Sequence, residues 1–198
     1  MKIRMLAVAA AMVLSAGAHA STVVFSDNFN ADGQGVDVTP TGWSLSPGTD
    51  DVDVIGTGFF DELPGNGNYI DLDGSNGSSG GPGTLSTTFA AVAGVSYTAT
   101  FDLGGNQRDG SSDTVTVWLG GSSVTETLTP TQGFTSFSVT TTAATSGPLT
   151  LSFEDSRSGN VGALLDNVSV TSVPEPGSMS LMLAGIAALG FAARRRRS

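Results

Sequence analysis

The chain has 198 residues, with 18 Asp or Glu against eight Lys or Arg, one His and no Cys, and a formal charge of −10. Between residues 21 and 173 the only cations are Arg108 and Arg157 against 17 of the acids, a net charge of about −15 that excludes nucleic acid and anionic lipid headgroups as partners. The same stretch has no His, Cys or Lys, which excludes Ser-His-Asp and Cys-His catalysis, imidazole and thiolate metal sites and Schiff-base lysines, and leaves carboxylate chemistry and oxygen-ligated hard cations.

The first element has the order of a secretory signal peptide. Lys2 and Arg4 precede an apolar run, Leu6–Leu14, and small residues end in Ala18-His19-Ala20. Cleavage is expected after Ala20, so that the exported chain starts at Ser21. From there the pattern predicts β-structure throughout. Short runs rich in Val, Thr and Phe are separated by Gly, Asn, Asp, Ser and Pro. In chain order the expected strands are Thr22–Ser26, Trp43–Leu45, Val52–Ile55, Tyr69–Asp73, Thr84–Phe89, Val95–Leu103, Thr114–Leu119, Val124–Leu128, Phe134–Thr140, Leu149–Phe153 and Leu164–Val170. Three of them alternate cleanly. Tyr97, Ala99, Phe101 and Leu103 share one face; so do Val115, Val117 and Leu119, with Thr116 and Trp118 opposite; so do Leu149, Leu151 and Phe153. One apolar face per strand means antiparallel sheets packed on one side. The expected fold is therefore all-β, a two-sheet sandwich or jelly roll over residues 21–172, without disulfides.

Some residues within this domain stand out chemically. Asp166 is in phase with Leu164, Val168 and Val170, which predicts a carboxylate on the apolar face. Such a group needs a metal, an ion pair or backbone donors; the alternative is a bulge at the strand start that breaks the phase. Asp71 and Asp73 share a face roughly 6–7 Å apart, a spacing that suits two-carboxylate glycoside hydrolysis, but neighbouring acids on so acidic a surface are expected to be solvated. The segment they open, "DLDGSNGSSGGP", starts like a calcium-binding EF-hand loop but has Asn76 where Gly is required and Pro82 where Glu is required. Trp118 is a large indole on the face expected to be wet. It is either a platform for a sugar ring or a ring covered by a long loop. Tyr69 and Trp43 are further candidates for sugar contact. Arg108, in the loop "GGNQRDG", either binds a hydroxylated ligand or neutralises nearby acids.

The carboxyl end is of another kind. Pro174-Glu175-Pro176 is followed by uncharged Gly177–Ala193 and then Arg194, Arg195, Arg196 and Arg197. A helix over 177–193 spans about 26 Å against roughly 30 Å of hydrocarbon, a marginal transmembrane span. The arginines place its end in the cytoplasm, where Lys2 and Arg4 also begin. Residues 173–198, with triplet, span and arginine cluster, resemble the PEP-CTERM sorting signal. That resemblance implies recognition by an exosortase, transient anchoring in the inner membrane of a Gram-negative bacterium, and release to the envelope or exterior.

The strings "FSDNFNADG", "YIDLDGSNG" and "LLDNVSV" resemble sandwich domains of the galactose-binding and carbohydrate-binding-module type. That resemblance implies a structural Ca²⁺ held near the first and last strands, at Asp27 and Asp166. The expected function is non-enzymatic: binding or building extracellular polysaccharide at the cell surface. The alternatives are a structural or adhesion protein without a specific ligand, and a carboxylate-dependent glycosidase or lyase.

Overall fold

The computed structural model describes residues 21–46, 51–75, 83–157, 159–173 and 185. The signal peptide with Ala18 and Ala20, the Pro174-Glu175-Pro176 triplet, the expected span and Arg194–Arg197 lie outside these residues. Among the described residues no helix is long and apolar enough to cross a membrane.

Ser21–Pro174 is one compact unit. Its strands are β1 (Thr22–Asp27), β2 (Ser44–Leu45), β3 (Asp53–Gly56), β4 (Asn68–Asp71), β5 (Thr84–Ala91), β6 (Ser96–Gly104), β7 (Asp113–Leu119), β8 (Ser122–Leu128), β9 (Thr135–Thr142), β10 (Gly147–Asp155) and β11 (Leu164–Val173). Each expected strand is present, with ends moved by at most three residues. They form two antiparallel sheets. The first has the order β3-β4-β11-β6-β9, with β1 also pairing β11; the second has the order β2-β5-β10-β7-β8. The fold is thus the two-sheet antiparallel β-sandwich that the alternation predicts.

The inner faces make the core. Tyr97, Ala99, Phe101 and Leu103 of β6 meet Val115, Val117 and Leu119 of β7 and Leu151 and Phe153 of β10. The rings of Phe101 and Phe153 pack edge to face at 5.1 Å. Burying each such side chain stabilises the fold by about 1.5–3 kcal/mol. The outer faces are hydroxylated, and their cross-strand pairs bond each other: Thr98 with Thr140 at 2.9 Å on the first sheet, Thr116 with Thr125 at 3.2 Å on the second.

The first sheet also carries a small apolar cluster on its outer side. Ile55, Tyr69 and Leu164 are covered there by Phe59, Leu63 and Phe134. Leu164 joins this cluster, out of phase with the later core residues of its strand, because of an irregularity in β11. Asp166 pairs Asp102 and Ser169 pairs Thr100, with a register shift between, and Asn167 sits at φ 50°. The bulge reverses the strand's parity. Leu165, Val168 and Val170 therefore enter the main core, whereas Leu164 faces outward into the second cluster.

Candidate functional site

Trp118 lies near the end of β7, with its neighbours Val117 and Leu119 fully buried. Strand alternation therefore turns the indole to the outer face of the second sheet, where it is half-buried. It is flanked in register by Ser152 of β10 and Ser123 of β8. Farther along the same face, Thr116 and Thr114 stand opposite Thr125 and Thr127, and Glu154 of β10 stands between Thr116 and Thr84. The Thr84 hydroxyl donates to Glu154 Oε2 at 3.0 Å. Among the described residues no aromatic ring pairs with Trp118, whereas Trp43 packs against Phe25, Phe29 and Phe153. The result is one amphipathic ring on a sheet of hydroxyls with a carboxylate nearby.

The other two aromatic candidates are core residues. Tyr69 is buried, its hydroxyl accepting from Leu63 N at 2.8 Å and donating to Asp61 Oδ1 at 3.2 Å. Burial pushes its phenol up to about 12. Trp43 is 6% exposed, and its indole N–H donates to Asp27 Oδ2 at 2.8 Å. Their strands begin beside long loops, and those loops fold over them; a period-two pattern does not register such cover.

A cleft of about 470 Å³ opens where β1 meets β11, lined by Ser26, Asp27, Asn28, Ala31, Asn167, Val168 and Ser169. Asp27 Oδ1 accepts from Phe29 N at 2.8 Å. Asp166, next in the chain to the cleft-lining Asn167, is buried, but the bulge places it on the outer side with Asp102 rather than in phase with Val168 and Val170. The Asn167 amide bridges the two carboxylates, at 3.2 Å to Asp166 Oδ2 and 3.0 Å to Asp102 Oδ2. Burial pushes Asp166 up to about 7, and the charges of Asp102 and Asp27 push the same way. A buried carboxylate facing two others is the electrostatic setting that a divalent cation relieves. Among the described residues, however, His, Cys and acidic side chains do not converge in a group of three that would hold a metal. Calcium at Asp27 and Asp166 would need backbone and amide oxygens to complete its six to eight ligands.

The third site is a buried acidic network at one end of the sandwich. Asp71 accepts from Gly162 N at 2.9 Å and Asp73 N at 3.1 Å, and it pairs with Arg108. Arg108 also approaches Glu62 at 3.9 Å. Asp113 accepts from Asn106 at 2.8 Å and from Arg157 at 3.1 Å, and Arg157 continues to Asp109 at 2.5 Å. Asp155 accepts from Ala163 N at 2.7 Å and Arg157 N at 3.1 Å. Burial drives Asp71 up to about 7, against the pull of Arg108, and Asp155 up to about 6. Asp113 rises as well, with burial again the leading cause. Asp71 and Asp73, expected in water, are both buried. Arg108 serves this network, neutralising acids. Asp113 and Asp155 went unremarked in the sequence, although the signal was there: Asp113 is in phase with Val115 and Val117, and Asp155 with Leu151 and Phe153.

A family model described as the PEP-CTERM protein-sorting motif matches residues 172–197. No curated protein sequence matches the chain. Among solved structures it is similar to the CBM22-1 xylan-binding domain of Paenibacillus barcinonensis Xyn10C, at 16% identity over 79% of this chain and 98% of that one, with a TM-score of 0.52. It is also similar to the K1 cleaved adhesin domain of Lys-gingipain from Porphyromonas gingivalis W83, at 15% identity over 77% of this chain and 98% of that one, with a TM-score of 0.54. At these identities the likeness is one of fold. The chain therefore carries a PEP-CTERM sorting motif, the mark of an exported, exosortase-processed protein of the cell envelope, on a sandwich with the fold of carbohydrate-binding modules.

Proposed function

We propose that this exported sandwich is a non-enzymatic binder of extracellular polysaccharide, anchored transiently in the inner membrane of a Gram-negative bacterium and then released by an exosortase to the cell envelope or exterior. The observation that carries the reading is Trp118, a half-buried indole on a hydroxyl-lined sheet face with no described ring against it. Such a ring offers a stacking surface for one sugar face while the hydroxyls around it bond the ring's edge. A single platform of this kind gives a Kd of order 1 mM to 10 μM, and retention then comes from many copies on one polymer.

Trp118→Ala in the Ser21–Pro174 unit is expected to abolish retardation in a polysaccharide affinity gel while stability stays within about 0.5 kcal/mol, as for a surface site. Unchanged retardation would remove Trp118 from the site. Absence of retardation in the parent protein across a glycan panel would favour a structural or adhesion role instead.

Structural calcium at Asp27 and Asp166 is a separate proposal. It is supported by the charges of Asp102 and Asp27 acting on the buried Asp166.

A further inference from the structure

We infer that the polymer suited to the Trp118 face is an amine-bearing polysaccharide, one whose sugar rings carry protonated amino groups; this rests on the proposed sugar-binding reading and narrows it. The second sheet brings together two groups that favour a cation. Ser152 is level with Trp118 and Glu154 is level with Thr116, one step along the same face. The carboxylate is thus a diagonal neighbour of the indole, within reach of a single sugar unit. Its position is fixed by the Thr84 hydroxyl at 3.0 Å. An ammonium lying between them meets the negative face of the indole on one side and a carboxylate on the other.

The charges elsewhere point the same way. Both arginines of the exported region are committed at the end of the sandwich, Arg108 to Asp71 and Glu62, Arg157 to Asp109 and Asp113. Neither lies on the outer face of the second sheet. A domain with so large an excess of acids repels uronate and sulfate polymers and concentrates cationic ones. A neutral glycan would use the indole and leave Glu154 without a role; an amine-bearing one uses both.

The test compares four probes on the Ser21–Pro174 unit: fully deacetylated glucosamine oligomers, the same oligomers N-acetylated, xylo-oligosaccharides and oligogalacturonate. The deacetylated oligomers are expected to bind most tightly and oligogalacturonate not at all. Binding should weaken as salt rises. Glu154→Gln, which keeps an acceptor for Thr84, should weaken the deacetylated oligomers by about two- to fivefold and leave the acetylated ones unchanged. Trp118→Ala should remove binding of both. If acetylated and xylo-oligosaccharides bind through Trp118 as tightly as the deacetylated ones, the amine inference is overturned and the sugar-binding reading stands. If deacetylated oligomers bind Trp118→Ala undiminished, the attraction is diffuse charge and the inference is overturned. If no oligomer responds to Trp118→Ala, the inference and the reading beneath it both fall.

Discussion

Asp166 is the residue on which the calcium proposal turns. Its carboxylate is buried, bonded to Asn167 N at 2.7 Å, and faced by Asp102 and Asp27. A cation bound only by the folded state stabilises it by about 2.7 kcal/mol at a hundredfold excess over Kd, or roughly 5–10 °C for a domain of this size. Melting in calcium is therefore expected to lie that far above melting in chelator, and Asp166→Asn should erase the difference. Equal melting temperatures of the parent protein in the two buffers would show that Asn167 and burial alone hold Asp166. In that case Asp166→Asn should raise stability at neutral pH, since it removes a buried charge facing like charges.

At the scale of elements, the loop from residue 159 to 163 is pinned by three carboxylates. Asp73 takes Gly159 N at 3.0 Å, Asp71 takes Gly162 N and Asp155 takes Ala163 N. Gly162 is required there by close approach. A Cβ on it would lie 2.5 Å from the backbone N of Asp73 and 2.9 Å from Asp71 Oδ1. Gly162→Ala is expected to destabilise by about 3 kcal/mol, read from denaturant melts, and a change under 0.5 kcal/mol would show the loop to be free to give. Loop contacts of this sort also mark where sequence reading stops. Strands β6, β7 and β10 were legible because period-two alternation is a local signal, and the same signal turned Trp118 outward. The burial of Tyr69 and Trp43 was not legible, because it depends on loops arriving from elsewhere. Nor was the face of Asp166, because one bulged residue at Asn167 reverses every later side chain of β11 while leaving the pattern of residue types intact.

For the whole molecule, the buried acids set the dependence of stability on pH. Asp71 and Asp166 are raised to about 7, Asp155 to about 6, and Asp113 is raised too. Unfolded carboxyls titrate near 4. Between roughly pH 4 and 7 the folded state therefore holds more protons than the unfolded one, and stability falls as pH rises through that window. In calcium-free buffer the melting temperature is expected to be higher at pH 5 than at pH 8. Below pH 4 the trend turns, because Arg157 holds Asp109 down at about 2 and that contribution is lost on acidification. A flat or rising profile from pH 5 to pH 8 would mean that ion pairs and backbone donors outweigh burial at these carboxylates in the folded state.

The pairing of the first strand with the last bears on how the protein resists tension. Thr22 is level with Ser172, and the chain passes from β11 directly into the residues matched by the sorting motif. β11 is an interior strand, bonded to β6 along one edge and to β4 and then β1 along the other. Inter-strand hydrogen bonds stand perpendicular to the strand. A pull from a tether leaving at Val173 therefore runs along β11 and loads these bonds together in shear, rather than peeling them off singly. Tension applied at the carboxyl end of the sandwich is thus carried by a strand bonded along both edges.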